Sequence, residues 1–201
     1  MDEKTRSLLI IFYKNPEPGK VKTRLAATVG NNKALNVFRK LALHTKGITA
    51  TLGIDKIVFY SDAIDLIDVW PNATYLKALQ QGEDLGQRMK NAFIAGFETG
   101  YTSICIIGTD CFELTEEIIR QAFESLQSSD AVIGPARDGG YYLLGMNEAH
   151  SGIFENKEWS TDTVLRDTLA DFINLGLTYV KMPELRDVDT EDDLPEQMRE
   201  E

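Results

Sequence analysis

"SLLIIFYKNPEPGKVKTRL", residues 7–25, decides the fold reading, because a seven-residue apolar run rich in β-forming residues breaks into a loop with two prolines and one glycine. The run reads as a buried strand. The loop after it crowds Lys14, Lys20, Lys22 and Arg24 around a single acid, Glu17, a balance of +3 in a chain whose net charge is −11, which leaves −14 for the rest. Cations concentrated where the average is acidic are either a solvated basic loop or side-chain charges for a ligand. Their place directly after a first strand favours the ligand, since open α/β sheets bind ligands beyond the carboxyl ends of their strands and helix amino termini there favour anions.

The same alternation continues along the chain. An amphipathic stretch over residues 31–53 comes next, then strand "DKIVFYS" (55–61), strand "ATYLKAL" (73–79), a helix over 84–100, strand "SICIIGTD" (103–110) and a helix over 115–127 that Thr115 can cap. The last third differs, with "DAVIGPA" and "YYLLGMN" separated only by "RDGG", then a helix near 160–175, a strand "LTYVKMP" and a terminal helical stretch "TEDDLPEQMREE". Strand and helix in alternation predict an α/β fold: a three-layer α/β/α sandwich with a mixed, mostly parallel sheet and at least one antiparallel insertion. No linker or internal repeat divides the 201 residues, so residues 1–201 read as one domain.

Composition narrows the function classes. No apolar stretch approaches the ~20 residues that cross a bilayer, and the start "MDEKTRS" is too polar to open a signal peptide, so the chain reads as cytoplasmic, with no membrane partner. The acidic balance speaks against nucleic acid. Cys105 and Cys111 read as buried thiols, and His44 and His150 have no partner motif. "PGKVKTRL" lacks the first glycine of a Walker loop, where Lys14 stands, and no G-x-G-x-x-G follows the strand, which removes P-loop and dinucleotide-binding readings.

Five stretches in order, "FYKNPEPGKVKTRL", "GEDLGQRM", "IGTDCFEL", "GPARDGGYYLLG" and "DVDTEDDL", resemble a bacterial and archaeal family of glycosyltransferase-like proteins associated with radical-SAM and selenodomain proteins, over about residues 7–195. That family is part of the nucleotide-diphospho-sugar transferase superfamily with the GT-A fold, and it is similar to small guanylyltransferases. The resemblance implies a transferase that binds an NTP or NDP-sugar with Mg2+ (or Mn2+) and passes a nucleotidyl or glycosyl group to a small acceptor. A binding module without turnover is the alternative, and the oligomeric state is left open.

The resemblance also assigns residues. Asp110, at the end of "IIGTD", matches a metal ligand, and hard oxygen ligands suit Mg2+; the other reading is a cap or loop aspartate. Asp189 of "DVDT" matches the second metal acid, with Asp187 on the same side of an extended segment as its substitute, although Asp189 could instead cap the helix beyond it. Lys22 and Arg24, supported by Lys14, Gly19 and Lys20, would hold phosphates, and Asp84, Gly86 and Arg88 would lie near the nucleotide. Asp138, Gly139, Gly140 and Tyr141 form either a tight hairpin turn or the acceptor side, with Asp138 as a candidate base. "WSTDT" places Trp159 as a shelf or as core. Phe112 stands where the family usually has proline, which leaves the turn after Asp110 open to a different geometry.

Overall fold

The computed structural model describes residues 5–199; the first four residues of the polar start, and residues 200 and 201 of the terminal helical stretch, lie outside the described residues. A seven-stranded sheet forms the middle layer. Its strands are β1 (Ser7–Tyr13), β2 (Asp55–Tyr60), β3 (Leu76–Leu79), β4 (Ser103–Ile107), β5 (Ala131–Pro135), β6 (Tyr141–Met146) and β7 (Tyr179–Lys181), in the spatial order β3-β2-β1-β4-β6-β5-β7. β1 pairs in parallel with both β2 and β4, whereas β6 runs antiparallel to β4 and β5. The antiparallel insertion expected from the short "RDGG" connection is therefore β6.

The helices are α1 (Thr23–Val29), α2 (Asn31–Thr49), α3 (Leu85–Glu98), α4 (Glu116–Ser125), α5 (Val164–Asn174) and α6 (Glu196–Arg199). Alternation along β1 sorts them into two layers. Leu9, Ile11 and Tyr13 point to a core shared with Leu35, Phe38 and Ala42 of α2 and Ile119 and Ala122 of α4. Leu8 and Ile10 point the other way, against Met89, Ala92 and Phe93 of α3 and Phe172 of α5. Because β1 and β4 are covered on both faces, their runs are continuously apolar.

Several boundaries differ from the sequence reading. A separate helix, α1, begins inside the basic loop, and Gly30 divides it from α2. The strand expected over 73–79 starts at Leu76, because the amides of Thr74 and Tyr75 both turn back to the Pro71 carbonyl. The terminal helical stretch is a 3-10 turn (Glu191–Asp193) and then α6, separated at Pro195, which disfavours helix in the residue before it. Cys105 and Cys111 are buried free thiols, as expected. Among the described residues no helix is long and apolar enough to cross a membrane.

The packing of the antiparallel strand is tight enough to test. A Cβ on Gly145 of β6 would lie 2.6 Å from both Cys105 Sγ and Val132 Cγ1. Gly145→Ala should therefore lower unfolding stability by about 1–3 kcal/mol, the usual range for overpacking a closed core. Urea unfolding measures it, and an unchanged midpoint would mean the β4-β6-β5 layer is looser than described.

Candidate active site

The carboxyl ends of β1 and β4 open into a cleft of about 810 Å3 lined by the basic loop, the segment after β4, the "RDGG" turn, the start of α3, residues 159–164 and the Asp187–Asp189 alternation. Acids from two chain-distant segments meet here, Asp110 from one and Asp187 and Asp189 from the other. The Val188 amide donates to the Asp110 carbonyl at 2.9 Å, so the "DVDT" segment is stitched to the turn that carries Asp110.

Lys22 lies between them. Its side chain is only 3% exposed, its Nζ is 2.8 Å from Asp110 Oδ1, and it donates to Asp189 Oδ1 at 3.3 Å. Burial works against the ammonium, but Asp110 and Asp189 outweigh it and hold its pKa above the ordinary lysine value. Its backbone is left-handed, φ 48° and ψ 47°, where a side chain other than glycine or asparagine is uncommon. This residue precedes the first turn of α1, and the unusual conformation accompanies its inward aim.

Asp187 is the group without compensation. Burial first, then the charges of Asp110 and Asp138, push its carboxyl up to about 7, and its buried Oδ1 has no hydrogen-bond partner among the described residues. Three carboxylates thus gather around the one buried ammonium, with the Arg24 guanidinium at the rim 3.8 Å from Asp189, and the excess of negative charge favours a further cation. Among the described residues no three His, Cys, Asp or Glu side chains converge closely enough to hold a metal by themselves. Asp110 and Asp189 could contribute to an Mg2+ site only together with other ligands, since that ion takes one or two carboxylates and completes its shell with phosphates and water. Asp189 does not cap the 3-10 turn beyond it: Thr190 does, with Asp193 Oδ2 accepting from its amide at 2.9 Å. Nor does Asp110 cap α4, where Thr115 accepts from the Ile118 amide.

The remaining sequence candidates separate into two groups. Lys14 and Arg24 line the cleft, Arg24 exposed and 3.8 Å from Asp189. Gly19 and Lys20 do not line it: Lys20 pairs with Glu17 at 2.6 Å, and Gly19 faces Asn31. Asp84 accepts from the Gln87 amide as the cap of α3, and Arg88 donates from Nε to the Gly82 carbonyl at 3.0 Å. Gly86 serves packing, since a Cβ there would lie 2.1 Å from Trp159 Nε1. Gly139, at φ 89°, brings its backbone so close to Asp162 that a Cβ would lie 2.1 Å from that carbonyl. Asp138 Oδ1 accepts from the Gly140 amide at 2.9 Å, and the Tyr141 hydroxyl donates to the Met89 sulphur at 3.9 Å.

Asp162, in the quoted "WSTDT", was not singled out by the sequence, and no local signal marks it: only the contact with Gly139 brings it to the cleft. His44 has a structural place, its Nε2 2.9 Å from the Leu114 carbonyl and its ring 4.6 Å from that of Phe112, so the turn after Asp110 is propped by an aromatic pair.

Comparison with known proteins places this geometry. The family model described as "Uncharacterized protein conserved in bacteria (DUF2064)" matches residues 45–161, more than half of the chain. The chain belongs to the DUF2064 family. A solved chain from Desulfovibrio desulfuricans G20, provisionally designated a nucleotide-diphospho-sugar transferase, is 34% identical over 92% of this chain and 83% of its own, with a TM-score of 0.87. The inositol-1-phosphate CTP transferase from T. maritima aligns over 98% of this chain and 94% of its own at 13% identity, TM-score 0.60. Glucosyl-3-phosphoglycerate synthase from Mycobacterium tuberculosis, solved with Mg2+ and UDP, aligns over 91% and 70% at 10% identity, TM-score 0.54. The last two likenesses are of fold: this DUF2064 chain has the α/β architecture of nucleotide-diphospho-sugar transferases and nucleotidyltransferases. No curated protein matches it in sequence.

Lys22 and Arg24, two residues apart at the start of α1, differ sharply in burial, which separates their effects. Lys22→Ala should lower stability by about 1–3 kcal/mol, less than the ~3–5 kcal/mol of a fully buried pair because both partners reach solvent. Arg24→Ala should stay within about 0.5 kcal/mol of the parent, as exposed substitutions do. Thermal melts without nucleotide compare them, and equal melting temperatures would contradict a buried, paired Lys22.

Proposed function

We propose that this protein is a Mg2+-dependent transferase that moves a nucleotidyl or glycosyl group from an NTP or NDP-sugar to a small acceptor. The observation that carries the proposal is the Lys22 ammonium held between Asp110 and Asp189 beside the uncompensated Asp187, at the end of the sheet where such folds bind ligands. The likeness to the D. desulfuricans chain supports it, as does the Mg2+ and UDP in the more distant M. tuberculosis synthase.

Asp110 and Asp189 would hold Mg2+, with Asp187 beside them. Bound there, the ion would offset negative charge on the phosphates and the leaving group. Lys22, released from its carboxylates as that charge arrives, and Arg24 and Lys14 on the rim would face the phosphate chain from the loop side. Asp138, on the "RDGG" turn, would take the acceptor's proton as its oxygen or nitrogen forms the new bond. The bond to pyrophosphate or to the nucleoside diphosphate breaks in the same step, and the electron pair departs with that group. Fixed charge and positioning are the main contributions a protein makes to such transfers.

A melting screen of the four NTPs and of UDP- and GDP-sugars, each with and without Mg2+, tests the proposal. A ligand at a hundredfold over its Kd stabilises by about 2.7 kcal/mol, and the stabilisation should require Mg2+ in the parent. Asp110→Asn and Asp189→Asn should lose the Mg2+-dependent part, because the amide keeps the shape and removes the anionic oxygen that a hard cation selects. No stabilisation by any nucleotide, or identical shifts with and without Mg2+, would refute it.

A further inference from the structure

The cations of the cleft are gathered on one side, beside Asp110 and Asp189. Of the four cations that line it, Lys14, Lys22 and Arg24 come from the basic loop. The fourth, Arg88, is turned to the Gly82 carbonyl and, at 3.4 Å, to Gln80 Oε1. The "RDGG" turn and residues 159–164 form another wall, which adds acids and aromatic surface to the lining and no cation. Asp138 and Asp162 stand on two turns in backbone contact, and Asp162 is exposed with no side-chain partner among the described residues. Among the neighbouring cations, Arg166 pairs with Asp167 and the Lys157 ammonium is buried behind the wall on Asp171 and Thr168, while Arg137, exposed beside Asp138, does not line the cleft. Trp159 supplies the flat apolar part of this wall. Its ring is half-buried, seated on Gly86, with Phe154 6.3 Å away and Lys157 Nζ 5.5 Å from its centroid on the protein side.

A phosphate or carboxylate on the acceptor would have to sit against Asp138 and Asp162 with no cation to meet it. Like-charge contact of that kind costs several kcal/mol and excludes a partner more effectively than added attraction selects one. Hydroxyl or ammonium groups would find two carboxylate acceptors, while an apolar face or a cationic group would find the indole. Resting on the transferase reading above, we propose that the acceptor is a small molecule without phosphate or carboxylate, which presents hydroxyl or ammonium donors to Asp138 and Asp162 and packs an apolar face on Trp159.

Trp159 reports on its own wall. The chain has two tryptophans, and Trp70 is 1% exposed, so collisional quenching reads Trp159. At low ionic strength, quenching by N-methylpyridinium should exceed quenching by iodide by about threefold or more, each normalised to free N-acetyltryptophanamide, because clefts lined by one sign of charge concentrate the opposite ion. Asp138→Asn with Asp162→Asn should bring the ratio toward one. That pair of changes alters the net charge only from −11 to −9, so a ratio that survives it would belong to the whole molecule and overturn the proposal.

A second arm uses saturation-transfer NMR on the protein carrying Mg2+ and a nucleotide, with glucosamine, glucose and glucose 6-phosphate as probes. Glucosamine and glucose should bind ahead of the phosphate ester, their order telling ammonium from hydroxyl recognition, and a preference for glucose 6-phosphate would overturn the proposal. Where none of the three skeletons fits, the quenching ratio decides. A ratio near one removes the acceptor class and leaves the transferase reading standing. Absence of nucleotide binding removes the transferase reading without moving the ratio.

Discussion

Carboxylates from two distant segments are brought together at one end of the sheet, and a single buried ammonium keeps them there. Asp110 lies just after β4, Asp187 and Asp189 come after β7, and Lys22 opens α1; only the Lys22 side chain touches both acid-bearing segments with opposite charge. Without it, Asp110, Asp187 and Asp189 would repel one another in a partly desolvated cleft. The ion pairs therefore join the first crossover of the fold to its last segment, and they do so through a residue held in a backbone conformation that its type rarely adopts. Core packing supports the same closure, since Leu25 of α1 shares a buried cluster with Val188 and Leu194.

The character of the cleft derives from that arrangement. A lysine neutralised by its own carboxylates is not a free phosphate hook, so the charge of Lys22 becomes available only when another cation satisfies the acids. Metal and phosphate then have reason to enter together. Asp187, pushed up by burial and by its neighbours, records the charge that Lys22 leaves uncompensated. A divalent ion would reverse the sign of the local field that raises it.

Much of the architecture was legible because β1 and β4 are short, wholly apolar and bounded by loop signals, and such runs have few places other than a sheet covered on both faces. The strand-end Asp110 was legible for the same reason: an acid that terminates a buried strand emerges at the sheet's edge. The helix α1 was hidden by the cations that surround it, which read as loop. Burial of Lys22 was invisible, because its partner Asp189 is 167 positions away and nothing local marks a lysine as internal. Gly86 has a packing role that nothing local in the sequence shows: its missing side chain makes room for the Trp159 indole.

The two halves of the cleft are held by different forces, and this difference sets what each can do. The phosphate half rests on ion pairs whose carboxylates reach water, so an incoming charged ligand can compete for them and rearrange them. The wall proposed to receive the acceptor rests on packing: Trp159 against Gly86, Gly139 against the Asp162 backbone, and the buried Lys157 ammonium on Asp171 and Thr168 behind the wall. An acceptor gains nothing by displacing those contacts, so this wall keeps its shape as ligands bind. Selection by a surface that does not adapt must come from the charges and faces it already presents, which here are two carboxylates and an aromatic ring.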